Sequence, residues 1–147
     1  MTLPTLQLNT LAELSRFNQG LSKQAASAEF AATKLEIAFH DVSSAMRDIP
    51  ITIDADNVVR HSFKERMLRR DSFVLFKAVL SLTKNLADAV GILSQSGAKA
   101  LSASYKILIK DHEGNAAVHQ AQCELTEILM ALENLEIRLR AMVRPLT

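Results

Sequence analysis

The sequence predicts an all-α protein: an antiparallel bundle of three long helices with coiled-coil-like heptad packing. A fourth helix arises if the second breaks near Gly97. Three observations carry this. Turn formers are scarce, with four Gly and three Pro in 147 residues, while Ala, Leu, Ser, Glu and Lys abound. Two segments place apolar residues in unbroken steps of three and four. A third segment, F-V-L-F-K-A-V-L-S-L-T-K-N-L-A-D-A-V-G-I-L over 73–93, is apolar around most of its circumference.

The first helix is expected over about 10–49. Thr10-Leu11-Ala12-Glu13 fits a capping box, in which hydroxyl and carboxylate each satisfy an orphan backbone N–H. Pro50 then forces an extended conformation on the residue before it. Leu11, Leu14, Asn18, Leu21, Ala25, Ala28, Ala32, Leu35, Phe39, Val42, Met46 and Ile49 make one seam, with Asn18 its single polar member. Alanines line its middle and invite a close neighbour. Gly20 weakens the helix by about 1 kcal/mol against Ala without breaking it. Residues 50–54 read as an extended connector, and Asp54 or Asp56 as the cap of the second helix.

The second helix is expected over about 56–111. Lys77, Ser81, Lys84 and Asp88 fall on one stripe, which Arg66 and Arg70 continue backwards and Gln95, Lys99, Ser102 and Lys106 forwards. The phase survives S-Q-S-G at 94–97, which favours one rod of about 80 Å over a break at Gly97. Although 73–93 is long enough to cross a bilayer, ionisable groups through its centre point to a helix wedged between two neighbours with one wet edge. Glu113-Gly114-Asn115 is a turn with Asn115 as cap. The last helix, about 115–144, carries the seam Val118, Ala121, Leu125, Ile128, Leu132, Leu135, Leu139, Met142 and stops before Pro145. With no repeat, low-complexity tract or linker, residues 1–147 form a single helical-bundle domain.

Seventeen Lys and Arg against sixteen Asp and Glu leave no global field drawing the chain to nucleic acid or anionic lipid. One cysteine, Cys123, excludes an internal disulfide framework. The first ten residues hold no basic segment followed by an apolar run, so the expectation is a cytoplasmic protein, with signal-independent export open.

Opposite each seam the outer helices are apolar again. The first presents Phe30 and Ile37, and the last presents Cys123, Met130 and Ile137 at sevenfold spacing, widened by Leu129 and Val143. Internal cover from a tilted or broken helix is the plain explanation. Because both outer helices show the pattern, an interface for a homodimer or a helical partner is favoured.

Chemistry is sparse. Glu36 and His40, the Asp111-His112-Glu113 group and His119 are metal-capable, yet neither Glu-x-x-His pair of a ferritin-like di-metal site occurs. His119 lies four residues before Cys123 with nothing to orient its ring. The Arg-x4–6-His motif of HEPN-type ribonucleases, a phosphate-binding glycine loop and a Gly-x-Ser-x-Gly elbow are all missing. No enzyme, cofactor, metal or small-molecule substrate is expected.

The remaining charge concentration is R-H-S-F-K-E-R-M-L-R-R at 60–70. In an up-down-up bundle Arg60, Lys64, Arg66, Arg69 and Arg70 would meet Arg138, Arg140 and Arg144 and bind an anion, phosphates or lipid headgroups. Asp48, Asp54, Asp56 and Asp71 oppose this, and no aromatic residues are interleaved for base stacking. In composition alone the chain resembles small helical components of bacterial secretion systems, with no motif carrying residues across. The expected function is non-catalytic association, as a self-assembling, adaptor or chaperone-like protein. The alternatives are a membrane-active protein inserting 73–93, and nucleic-acid or acidic-partner binding through the Arg60–Arg70 end.

Overall fold

The computed structural model describes residues 8–47, 52–53, 59–60, 63–110 and 115–144. Helix α1 spans Leu11–Arg47, α2 Phe63–Lys110 and α3 Asn115–Val143. Their 37, 48 and 29 residues correspond to about 55, 72 and 44 Å of rod. All three pack against one another in an all-helical bundle.

At the start of α1 the hydroxyl half of the expected capping box forms, while the Glu13 carboxylate accepts from the Thr10 hydroxyl and not from a backbone N–H. Glu13 N–H donates to Thr10 Oγ1 at 3.2 Å, and the same hydroxyl donates to Glu13 Oε1 at 3.1 Å. Leu14 N–H closes the first turn on the Thr10 carbonyl at 3.1 Å. One orphan donor is thereby satisfied through a three-residue loop that only this spacing allows.

Helix α2 begins later than expected. Residues 59–60, assigned above to the helix, instead pair antiparallel with 52–53 as strands β2 (Val59–Arg60) and β1 (Thr52–Ile53). Thr52 sits opposite Arg60 and Ile53 opposite Val59. The physical reason is a β-branched run, Ile51-Thr52-Ile53 and Val58-Val59, on either side of D-A-D-N, which disfavours helix and suits a paired strand. The expected Asp54 or Asp56 cap and the seam residue Ile49 lie outside the described residues.

Helix α2 runs unbroken through Ser94–Gly97, so no fourth helix forms there. Gly97 is buried because its neighbours need the room. A Cβ built on it would stand 2.4 Å from Leu129 Cδ2 and 3.2 Å from Leu21 Cδ2. This glycine is a socket for both outer helices, and no turn is required of it.

The core follows the three-four seams. Leu14, Val90, Val118, Leu125, Leu132, Leu135 and Leu139 are fully enclosed. Alanines 28, 32, 87, 100 and 121 between them keep the helices close. One layer is polar. Buried Asn18 donates from Nδ2 to the Ala121 carbonyl at 2.9 Å. Beside it Gln122 Nε2 donates to Ser104 Oγ at 2.8 Å, and that hydroxyl donates to the Leu101 carbonyl at 2.5 Å. Among the described residues Asn18 Oδ1 finds no partner. A layer of this kind costs stability and favours one alignment of the helices over its slipped alternatives.

Candidate interaction surface

Phe30, Ile37, Met130 and Ile137 are each between 57% and 63% exposed, and Cys123 is exposed as well. Among the described residues, nothing encloses any of these five side chains. On α1, Lys23 shares the sevenfold stripe of Phe30 and Ile37 and lines both a groove between α1 and α2 and a cleft between α1 and α3, so this line faces outward between the two. On α3, Arg144 shares the stripe of Met130 and Ile137 and lines a separate cleft with Lys84 and Ala87 of α2. Lys34 Nζ lies 4.5 Å from the centre of the Phe30 ring, a cation–π contact that leaves the ring's outer edge to solvent.

Helix α2 adds what the sequence reading missed. The polar stripe from Arg66 to Lys106 is exposed as expected. The rest of the circumference was expected to be buried between neighbours, and only part of it is. Leu75, Leu82 and Ile92 are 54–57% exposed, and Ala78 and Ala89 are exposed with them. A helix in a three-helix bundle gives its neighbours about half of its surface, so a helix apolar over more than half must show the remainder. The signal was present in the sequence. Leu75, Ala78, Leu82, Asn85, Ala89 and Ile92 repeat the three-four steps of the inward seam one residue earlier.

The groove beside this stripe is shallow and apolar. Ser27, Ala28 and Ala31 of α1 face Leu86, Ala89 and Leu93 of α2 across it. Small residues on both walls let an incoming helix approach closely, and Lys23 at its rim supplies a charged edge.

The expected basic cluster is divided. Arg138 bridges α3 to α1: Nη1 donates to both Glu29 oxygens, at 2.7 and 2.9 Å, and Nη2 donates to Glu36 Oε1. Hydrogen bonding to Glu29, then to Glu36, raises its pKa above the usual arginine value against a small opposing desolvation. Arg140 donates to Glu136 at 3.0 Å and to Asp88 at 3.2 Å, and these bonds, Glu136 first, raise its pKa too. Arg140 and Arg144 lie beside Lys84 and Ala87, about 20 Å along α2 from Arg70. Arg66, Arg69 and Arg70 are exposed on α2 without the three arginines of α3, and the side chains of Arg60 and Lys64 lie outside the described residues. The division has a simple cause: α3 is 19 residues shorter than α2 (48 against 29) and stops short of that end.

Among the described residues no group of three His, Cys, Asp or Glu side chains could hold a metal ion. The Asp111-His112-Glu113 group lies outside them. His119 and Cys123 are both exposed, and Glu36 is engaged by Arg138. Among the described residues no helix is long and apolar enough to cross a membrane. Comparison with protein families, with curated proteins and with solved structures finds no match for this chain.

Proposed function

We propose that the protein is a non-catalytic helical bundle whose work is association, with itself or with another helical protein, through coiled-coil-type contacts. The observation that carries this is the exposure of Phe30, Ile37, Met130 and Ile137 in lines at sevenfold spacing directly opposite buried seams. Such spacing is what a second helix reads.

We also read the bundle as up-down-up, with α2 antiparallel to both neighbours. The order of contacts supports this. Asn18 meets Ala121, while Glu29 and Glu36 meet Arg138, so α1 and α3 advance together. Gln122 meets Ser104, Leu129 meets Gly97 and Arg140 meets Asp88, so α2 retreats as α3 advances. Leu21 beside Gly97 and Phe39 against Phe76, ring centres 5.4 Å apart, repeat that order between α1 and α2.

Molar mass by light scattering, alone and after Phe30→Glu with Ile37→Glu, tests the proposal. Loss of assembly with the helical circular dichroism intact is the expected result. Collapse of helicity in that variant would assign the two side chains to the fold and not to a partner.

A further inference from the structure

The cleft between α1 and α3, about 940 Å³ in volume, has a chemistry of its own that does not depend on association. Its polar end is lined by Ser15, Asn18, Gln19 and Ser22 of α1 and by Glu124 and Glu127 of α3. Beyond them the wall turns apolar, with Ala25, Ile128 and Ala131.

Two observations at the polar end define what it would hold. Asn18 is only 4% exposed. Its Nδ2 is committed to the Ala121 carbonyl at 2.9 Å, which fixes the orientation of the amide. Oδ1 is left without a donor among the described residues, and a buried acceptor in that condition calls for explanation. Independently, the Glu124 and Glu127 carboxylates, one turn apart on α3, make no hydrogen bond or ion pair among the described residues.

Every lining group whose hydrogen-bonding sense is fixed at this end is therefore an acceptor, while the two serine hydroxyls and the Gln19 amide adapt to either role. Lys23 is the single cation among the lining residues, so two carboxylates leave the end net negative. No group of three His, Cys, Asp or Glu side chains gathers among the described residues, so an organic cation suits the cleft better than a metal ion. Such a ligand brings N–H donors and positive charge at its head, and methylenes for the wall of Ala25, Ile128 and Ala131.

We propose that this cleft binds a small aliphatic primary amine, a linear diamine or polyamine. One ammonium donates to Asn18 Oδ1 and is balanced by Glu124 and Glu127, and the carbon chain lies along the apolar wall. Only a compact –NH3+ head satisfies so enclosed an oxygen, because a fully alkylated nitrogen has no proton to give.

The test titrates putrescine into the full chain at fixed ionic strength and follows amide resonances. Saturable shifts at the Asn18 side chain and at the Ser22 and Glu124 backbone amides are the expected result. The fully methylated bis-quaternary analogue, equal in charge and without N–H groups, should bind at least about tenfold more weakly. Glu124→Gln with Glu127→Gln, at exposed positions, should weaken putrescine by a similar factor with helicity unchanged. Asn18→Leu should lose the affinity while melting no lower than wild type, a split that a purely structural asparagine would not produce. If Asn18→Leu disturbs the fold, the glutamine pair and the methylated probe still decide. Absence of saturable shifts at millimolar putrescine would overturn the site. Equal affinity for the two probes, or an affinity untouched by the glutamine pair, would overturn it too, by reducing the signal to diffuse surface charge.

Discussion

Two glycines in helix interiors carry opposite instructions. Gly20 has nothing within 4 Å of the point where a side-chain methyl would stand, so Gly20→Ala should stabilise the chain by about 1 kcal/mol through helix propensity alone. Gly97→Ala should do the reverse. The new methyl meets Leu129 at 2.4 Å, and overpacking of about 1–3 kcal/mol outweighs the propensity gain. Thermal melts of the two variants check this, and a Gly97→Ala chain melting above wild type would mean that Leu129 can turn away at little cost. Asn18 is a third informative position. With Oδ1 unpartnered in the core, Asn18→Leu should raise stability by about 1 kcal/mol. It should also blur the alignment of α1 on α3, seen as broadened amide resonances. From sequence, Asn18 was legible as an intrusion in the seam, because a polar residue in an apolar period stands out. The role of Gly97 was not legible, since a glycine that breaks a helix and one that receives a neighbour look alike until the neighbour is placed.

At the scale of elements, the seams of α1 and α3 were readable because their period repeats over many turns and each buries only one side. The pairing of 52–53 with 59–60 was hidden by its brevity, since two residues per strand give no period to detect. The stripe on α2 was hidden differently. Its sequence is apolar on more sides than two neighbours can cover, and no count of apolar residues tells which side is left over. The link between α1 and α3 is testable separately. Arg138→Met removes bonds to Glu29 and Glu36 that are 41–51% exposed, so the loss should stay within about 1 kcal/mol and shrink as salt is added. From neutral pH up to the ordinary arginine value, the raised arginine pKa keeps the guanidinium charged and this contribution whole. On the alkaline side it is lost as pH climbs through the raised value, so added salt and not mild alkali is the lever. Equal destabilisation in low and high salt would assign the effect to packing of the arginine stem instead.

For the whole molecule, the unequal rods set the behaviour. Helix α3 ends beside Lys84 and Ala87, while α2 continues for some twenty residues towards Phe63, with α1 packed on it through Phe39 and Phe76. The basic residues expected to gather from both helices were misplaced for this reason, because composition reports charge but not where a helix stops along its neighbour. Charge on the Phe30–Ile37 line is the global control. If assembly buries the line, Phe30→Glu with Ile37→Glu should lower the melting temperature of the oligomer at high protein concentration. It should leave the dilute melt unchanged, because only the associated state loses contacts.

The overhang has one more outcome, in time and not in place. Amides near Gly97, enclosed by all three rods, should exchange with deuterium only through global opening. Those between Arg66 and Phe76, held by a single companion, should exchange through cheap local fraying. A partner laid on that end would slow the second group and leave the first as it was, so that the end with the least shelter becomes the one that reports on company.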